Sequence, residues 1–310
     1  MAELQLEKVD LNLLKSVSDL DGVPTGAFSL RKNGKSVKIN VTPNINIIRK
    51  EDKPGINIYV RADTKGETVS IPVVITESGI DDKVYNDFYI GKNADVIINA
   101  GCGIHNDGCK ETHHNGIHRF FLEEGAKVLY LEKHYGEGDG EGKRVLDPVT
   151  EVHLGKNASL EMHTTQIKGV DSTIRKTSGE LDDGASLVVL EKIMTHGHQT
   201  AETEFVVDLN GKGSRTQVTS RSVAAENSEQ KFVSKVYGNN ECFGHVECDA
   251  IIKDHGKVVS TPEISANCVD ANLIHEAAIG KIAGEQIIKL ETLGLTEKEA
   301  EAAIIDGFLK

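Results

Sequence analysis

Short alternating runs of apolar and polar residues dominate the chain from about residue 37 to residue 260. Runs such as SVKINV, INIYV and SIPVVI follow the two-residue period of a half-buried strand, and turn-forming Gly, Asn, Asp or Pro residues separate them. No segment in this region has the apolar spacing of a long helix. The pattern therefore predicts a mainly β fold.

A small motif recurs in this region at intervals of about 30 residues. Each copy places a turn residue before a small residue, and β-branched or apolar positions follow. A fixed period of this kind is typical of a stacked-strand solenoid, whereas a β-sandwich with repeated turn chemistry is the alternative. The five copies lie at Asn93-Ala94, Gly125-Ala126, Asn157-Ala158, Gly184-Ala185 and Gly213-Ser214.

Helical patterns occur near the two ends of the chain. Residues 4 to 17 predict a short amphipathic helix whose apolar positions are Leu4, Val9, Leu11, Leu14 and Val17. Near the other end, AGEQIIKLETLG has an apolar helical face and ends in a glycine suited to a left-handed stop. Thr296 and Glu299 then have capping-box spacing for a second helix.

These patterns divide the chain into three parts. We predict an N-terminal segment with a short helix over residues 1–36, a β core over 37–270 and a C-terminal helical region over 271–310. The two C-terminal helices are apolar on one side, so they must pack on the solenoid or on another protein.

Charge and composition narrow the classes of partner. The 48 acidic and 35 basic side chains give a net charge of -13, which disfavours a general binder of nucleic acid or of anionic membranes. The first residues lack a basic leader with an apolar core, and no stretch of about 18 apolar residues occurs. We therefore expect a cytoplasmic protein with no membrane and no nucleic-acid partner.

The densest group of metal-ligand residue types lies between residues 102 and 118. Thiolate and imidazole suit zinc, iron or copper, but no CxxC pair is present. A polar, turn-rich loop with incidental histidines is the alternative. The candidate metal ligands are Cys102, His105, Cys109, His113, His114 and His118.

Two further groups lie towards the C-terminal end. ECFGHVECD contains Cys242, His245 and Cys248, and Cys248 is either a candidate metal ligand or a buried thiol that packs as a small hydrophobe. Cys268, His275 and Glu276 combine thiol, imidazole and carboxylate, which suit iron or sulfur chemistry. Seven residues of extended strand span more than 20 Å, so Cys268 and His275 need a turn or a second subunit to meet. A buried cysteine and a capping histidine are the alternative.

Several enzyme signatures are missing from the sequence. It has no GxxxxGK[ST] loop, no strand-linked GxGxxG, no GxSxG elbow and no HExxH. The glycine-rich GEGDGEG run is acidic and would repel phosphate. We expect no nucleotide site and no catalytic centre in this chain.

The C-terminal stretch PEISANCVDANLIHEAAIGKIAGEQIIKLETLGLTEKEAEAAIIDGF resembles the end of SufB and SufD proteins. GHVECDAII and LNGKGSRTQVTSRSVA are similar to two further strands of that family, so the resemblance covers roughly residues 90 to 310. It implies a right-handed parallel β-helix that pairs with an identical copy or with a SufB/SufD-type paralogue. It also implies C-terminal helices that dock the ATPase SufC, which supplies the ATP hydrolysis.

The resemblance further implies that a transient iron-sulfur cluster forms at the interface between two β-helices. His275 matches the family's histidine position and Glu276 matches the SufB glutamate after it. The family's cysteine position is occupied by Ala266, and Cys268 lies two residues further along the chain. Cys268, His275 and Glu276 are the cluster ligands that the resemblance implies.

The leading hypothesis is therefore a non-catalytic scaffold of the SUF-type iron-sulfur cluster assembly machinery. One alternative is a zinc-, copper- or iron-binding protein that uses the 102–118 segment. A β-solenoid enzyme acting on polysaccharide is the other alternative, and it needs a paired carboxylate site in a groove.

Overall fold

The computed structural model describes residues 6–310, and its strands stack into a β-solenoid of about 8 turns. Strands account for 58% of the structure, and three helices flank them. The predicted stacked-strand solenoid with one N-terminal and two C-terminal helices is confirmed. The β-sandwich alternative is not the architecture of this chain.

Two ten-stranded sheets form opposite walls of the solenoid, because successive strands alternate between them. Sheet A contains, in spatial order, β2 (Lys35–Asn40), β1 (Ala27–Lys32), β5 (Lys65–Ile75), β7 (Asp95–His105), β9 (Lys127–Glu137), β12 (Ser159–Lys168), β14 (Ser186–Thr195), β16 (Ser214–Ala224), β18 (Cys242–Ile252) and β20 (Ala271–Gly280). Sheet B contains β19 (Lys257–Ala266), β17 (Glu229–Gly238), β15 (Thr200–Leu209), β13 (Ser172–Leu181), β10 (Arg144–Leu146), β8 (Thr112–Leu122), β6 (Asp81–Ile90), β4 (Gly55–Val60) and β3 (Ile45–Arg49). The remaining strand, β11 (Val149–Leu154), lies beyond β10 between β8 and β13.

The two ends of the solenoid are built differently. At the N-terminal end, β1 pairs with β2 and β3 pairs with β4, and both pairs are antiparallel. The pairs that stack the later rungs are parallel, up to β17 with β19 and β18 with β20. Within the described residues, β19 and β20 end the parallel stack with one strand neighbour each, and β2 and β3 are the corresponding edges at the other end. The C-terminal edges are parallel rung strands, whereas the N-terminal edges are antiparallel strands.

The recurring sequence motif forms one turn of each rung. Its turn residue has a positive φ, which asparagine and glycine tolerate best. The small residue that follows is completely buried because it points into the narrow corner where the chain enters sheet A. The positive φ values are 56° at Asn93, 69° at Gly125, 55° at Asn157, 65° at Gly184 and 74° at Gly213.

The N-terminal helix α1 (Lys8–Ser18) packs on the outer face of sheet A. Its side chains Leu13, Leu14 and Val17 are fully buried. Strand β7 admits the helix because Gly101 lacks a side chain: a Cβ there would lie 2.4 Å from the Val17 carbonyl oxygen. The helix begins four residues later than the predicted start, and Leu4 lies outside the described residues.

The two C-terminal helices are α2 (Gly284–Glu291) and α3 (Glu297–Phe308). Gly294 follows α2 with a φ of 97°, and Thr296 and Glu299 form the predicted capping box of α3. None of the residues of α2 is buried, and only Ala300 is buried in α3. In the part of the chain that the structure describes, no helix is long and apolar enough to cross a membrane.

The strands extend into both flanking parts that the sequence suggested. The first strand begins at Ala27, and the last strand ends at Gly280. Whether the division at residues 36 and 270 separates independent units stays a prediction.

Candidate functional site

The last rung places the C-terminal candidate residues at the open edge of the solenoid. In β20, His275 pairs with Val246 of β18, and this column of side chains points into the solenoid interior. Glu276 pairs with Glu247 and points to the outer face. The two neighbouring residues therefore lie on opposite faces of the same strand.

His275 is a half-buried imidazole without a polar partner. Within residues 6–310, neither of its ring nitrogens has a hydrogen-bond partner, although both are shielded from solvent. Burial lowers the pKa of His275, and the nearby charge of His245 lowers it further. A neutral imidazole of this kind is available as a ligand for iron or another borderline metal.

Two thiols lie close to each other at the turn that enters β20. Cys268 is half-buried in the turn between β19 and β20, whereas Cys242 is the buried first residue of β18. Burial raises the pKa of the Cys242 thiol, and the nearby charge of Cys268 raises it further against the opposing backbone N–H of Asn240. Sequence reasoning grouped Cys242 with Cys248, but the turn brings it near Cys268.

One chain does not gather its predicted cluster ligands around a single point. Cys268 lies before β20, whereas His275 is its fifth residue, about 13 Å along the strand from Ala271. Glu276 faces outwards, and its Oε2 lies 3.5 Å from the Nε2 of His245. Among the described residues, no three His, Cys, Asp or Glu side chains are placed to hold a metal ion.

Ala266 and Cys248 also lie at this end of the solenoid. Ala266 is the last residue of β19 and pairs with Gly238. Cys248 is buried on the inner face of β18, beside Ala277 of β20. Burial raises the pKa of the Cys248 thiol. Cys248 is thus a buried thiol of the core.

The 102–118 segment does not form one metal site. Cys102 is buried on β7, and Cys109 is exposed in the loop before β8. His105 and His113 point outwards and lie 2.8 to 3.2 Å from carboxylates of neighbouring rungs or loops. His114 and His118 face the interior of the solenoid from one strand, because they are four residues apart, and Cys102 faces it from β7. The predicted turn-rich loop covers only residues 106–111.

His114 and His118 belong to a network of buried polar side chains. His114 Nδ1 lies 3.1 Å from Asp82, which also accepts a 2.8 Å hydrogen bond from Nε of Arg31. Burial lowers the pKa of His114, although Asp82 opposes this. Burial alone would raise the pKa of Asp82, but Arg31 and His114 outweigh it and hold that pKa well below its usual range.

The same network continues into the next rungs. His118 Nδ1 lies 2.7 Å from the Tyr130 hydroxyl, which donates a 2.8 Å hydrogen bond to Glu132. Burial lowers the pKa of His118 to about 4, which keeps the ring neutral near pH 7. Because the Tyr130 hydroxyl donates its own proton to Glu132, the tautomer that fits is the one in which His118 Nδ1 donates to that hydroxyl. Arg175 donates to Glu132 at 2.5 Å and lies 3.6 Å from Glu191. Burial would raise the pKa of Glu132, but the charge of Arg175 holds it well below its usual range.

A small cavity of about 20 Å³ lies inside this network, with room for about one water molecule. Its lining includes Cys102, whose pKa burial raises well above its usual value. The polar side chains continue towards the open end, where Ser220 donates to Glu191 at 2.9 Å and pairs in register with Cys248.

Sequence reasoning missed several members of this network, which are Glu132, His134, Arg175 and Glu191. A signal for two of them was present in KVLYLEKHYG, where strict alternation places Glu132 and His134 on the same face as the buried Val128 and Tyr130. Inward charges contradict the apolar-in rule, so alternation is the only local clue to them.

Comparisons with known proteins agree with this architecture. Residues 90–308 match the family model described as SUF system FeS cluster assembly, SufBD core domain. An iron-sulfur cluster assembly SufBD family protein of Pyrococcus horikoshii is 27% identical over 304 residues, which cover 93% of this chain and 90% of that protein.

Relatives of the same description occur in other archaea. One from Methanothermobacter thermautotrophicus is 28% identical over 230 residues, or 70% of this chain and 53% of that protein. One from Methanocaldococcus jannaschii is 25% identical over 237 residues, or 76% of this chain and 74% of that protein. The chain therefore spans about half the length of the Methanothermobacter relative and most of the Pyrococcus one.

Proposed function

Because the chain belongs to the SufBD family of iron-sulfur cluster assembly proteins, we propose that it is the scaffold on which a transient cluster is built. Two copies, or this chain and a paralogue, join through their open C-terminal ends, and the cluster forms between them. The chain supplies ligands and no catalytic centre. ATP is hydrolysed by a SufC-type partner.

The open end supports the dimer. Edge strands with unpaired backbone groups pair readily with another chain unless charge, proline or a covering element blocks them. Apolar side chains are also uncovered there: Val259 is 54% exposed, Ile264 is 44% exposed and Ile279 is 40% exposed. A second subunit that continues both sheets would pair the edges of β19 and β20, except at Pro262 of β19, which has no N–H to donate, and would cover these side chains.

The observation that carries the site is His275 at this edge. Its ring nitrogens are shielded and unpartnered in the described chain, and an unpaired buried polar group is costly unless it gains a ligand. Cys268 and Glu276 lie too far from His275, or face the wrong way, for one chain to complete a site. A site at the edge shared by two subunits would take its missing ligands from the second subunit.

The C-terminal helices support the ATPase partner. Helix α2 has no buried residue, while Ile288 and Leu293 are 60% and 73% exposed. Apolar side chains on an exposed helix pair fit a docking surface for another protein. Five cysteines free of disulfides in the described chain fit the reducing cytoplasm, where we place the scaffold.

Anaerobic reconstitution with iron and sulfide, with and without SufC, tests the cluster site. We expect a chromophore with stoichiometric sulfide in the wild-type protein and its loss in Cys268→Ala and His275→Ala. Cys109→Ala is the matched control, because Cys109 is an exposed thiol on a loop away from the open end. Normal reconstitution of Cys268→Ala and His275→Ala would remove both residues from the ligand set.

Zinc binding separates the scaffold from the metal-binding alternative. The dispersal of the 102–118 ligands over a loop and two sheets weighs against a dedicated metal site there. A colourless protein that binds zinc stoichiometrically, and loses it in His114→Ala or Cys102→Ala, would favour the alternative. Copurification with the ATPase and with a second copy or paralogue identifies the partners.

A further inference from the structure

The N-terminal end of the solenoid is basic, although the chain as a whole has a net charge of -13. Residues 22–50 contain six Lys or Arg side chains and no Asp or Glu. These residues form β1, β2 and β3, the antiparallel strands at this end. A local excess of positive charge on an acidic protein attracts anions to one place on its surface.

A pocket of about 300 Å³ opens among these strands. Its walls include five cationic side chains, and no acidic side chain lines it. The volume is at the lower end of the range for small-molecule sites. The five cations are Arg31, Lys35, Arg49, Lys50 and Lys53.

Two of the five cations are held in place by ion pairs with buried carboxylates. The Lys50 side chain is 7% exposed, and its Nζ lies 2.6 Å from Asp87 and 2.5 Å from the Asn57 side-chain oxygen. Arg31 is held by both carboxylate oxygens of Asp82 and donates to the Gly34 carbonyl oxygen at 2.6 Å. Asp87 also accepts two hydrogen bonds from Arg119. Each charge is thereby fixed in position before any ligand arrives.

The other three cations lack strong partners. Among the described residues, Lys35 has no ion pair, and Arg49 has only long contacts of 3.4 and 3.5 Å with Ser36. Lys53 lies 3.9 Å from Asp52 and 4.6 Å above the Tyr85 ring. These flexible side chains keep their charge available for a ligand at the rim.

The floor of the pocket limits what fits. Ile56, Ile71, Val73 and Val84 form apolar walls, and the uncharged polar side chains of the lining are Ser29, Ser36 and Asn86. A compact molecule with one or more anionic groups at the rim would match both the apolar walls and the cationic rim.

We propose that this pocket binds a small molecule through a carboxylate or phosphate group. The site lies at the opposite end of the solenoid from the cluster ligands and does not depend on the proposed scaffold function. The limited volume of about 300 Å³ favours a small molecule over a macromolecule. The C-terminal end of a second copy is the competing occupant, because residues 263–310 contain nine acidic and four basic side chains.

Calorimetric titration of the full chain at low ionic strength tests the proposal, with citrate as the carboxylate probe and inorganic phosphate as the phosphoryl probe. We expect saturable binding of at least one probe, weakening as salt screens the charges. The double variant Lys35→Met, Lys53→Met should bind at least about tenfold more weakly, since each lost charge-assisted contact contributes about this factor. Lys38→Met is the matched control, because Lys38 is an exposed lysine on β2 outside the pocket.

Binding of citrate alone or of phosphate alone identifies the anionic group and supports the site. No saturable heat with either probe overturns it, as does equal binding by the double variant and the wild type. Self-association that is lost in Lys35→Met, Lys53→Met but kept in Lys38→Met assigns the pocket to a second copy and also overturns it.

Discussion

The two sheets of this solenoid terminate differently at its two ends. At the N-terminal end, the antiparallel pairs β1–β2 and β3–β4 finish the sheets. At the C-terminal end, β19 and β20 end the parallel stack without an antiparallel strand, and apolar side chains are uncovered there. Terminal repeats of a solenoid usually carry a cap, and the end without an antiparallel cap is where the proposed second subunit would bind.

The interiors near the two ends also differ in chemistry. The N-terminal and central rungs contain buried charges that satisfy each other, such as Arg31 with Asp82 and Arg175 with Glu132. The C-terminal end contains His275, whose ring nitrogens have no hydrogen-bond partner in the described residues. A complete buried network fixes a structure, whereas an incomplete one leaves groups available for a ligand.

Removing a buried ion pair at the N-terminal end should have the largest effect on stability. Asp82→Ala leaves the buried Arg31 without its carboxylate, which costs about 3–5 kcal/mol for a broken buried ion pair. Urea unfolding measures this loss. Asp81→Ala is the control, since Asp81 is exposed on the same strand and should change stability by about 0.5 kcal/mol or less. Equal losses in the two variants would show that the pair does not stabilise this end.

Placing a charge at the open end should act on assembly instead of on folding. Ile264→Asp puts a carboxylate where a second subunit would bury an apolar side chain, so we expect the dissociation constant of the dimer to rise about tenfold or more. Sedimentation measures the constant. Ile174→Asp is a close control, because both side chains are 44% exposed but Ile174 lies on the outer face of β13. The same dimer constant in both variants would contradict the open-end interface.

Acid should destabilise the N-terminal end by protonating Asp87. Burial would raise the pKa of Asp87, but Lys50 and Arg119 outweigh it and lower the pKa below its ordinary value of 3.8. The ionised carboxylate therefore stabilises the fold above about pH 4, and this stability is lost as the pH falls towards the lower folded pKa. Unfolding measured from pH 6 to pH 3 should show a smaller acid-induced loss for Asp87→Asn than for the wild type. An unchanged pH dependence would exclude this carboxylate as a cause.

Releasing the C-terminal helices should have the smallest effect. Lys253 Nζ lies 2.5 Å from Glu301 of α3, and both side chains are partly exposed. Such pairs contribute about 0.2–1 kcal/mol, so Lys253→Ala should speed amide exchange in α3 with little change in global unfolding. Lys257→Ala serves as the control, because its partner Glu229 lies within sheet B. Equal exchange in α3 for both variants would mean that Lys253 does not hold the helix.

Local patterns predicted the elements well. Alternation located the strands, and the recurring Asn-Ala or Gly-Ala pair identified the rung because a left-handed turn followed by a narrow corner admits few residue types. The capping box at Thr296 was equally local. Each of these features depends on neighbours in sequence, so one chain's residue order suffices to find it.

The functional residues were harder to predict because they depend on register. Counting along a strand showed that Cys268 and His275 do not meet in one chain, but not that Cys242 pairs in register with Ala271, three residues after Cys268. The composition of the 102–118 segment suggested one set of metal ligands. In the fold, however, the His105 side chain points outwards and the His114 side chain points inwards. A one-residue step on a strand reverses the face, so proximity in sequence does not imply proximity in space.

The sequence by itself determined the solenoid, its rung length, its helical ends and the family resemblance, because these follow from periodicity and local turn chemistry. Only the tertiary structure decided which polar side chains are buried together, which residues pair between rungs and how the sheets finish at each end. Those properties arise when strands about 30 residues apart stack about 4.8 Å from each other, a relation that no local pattern contains.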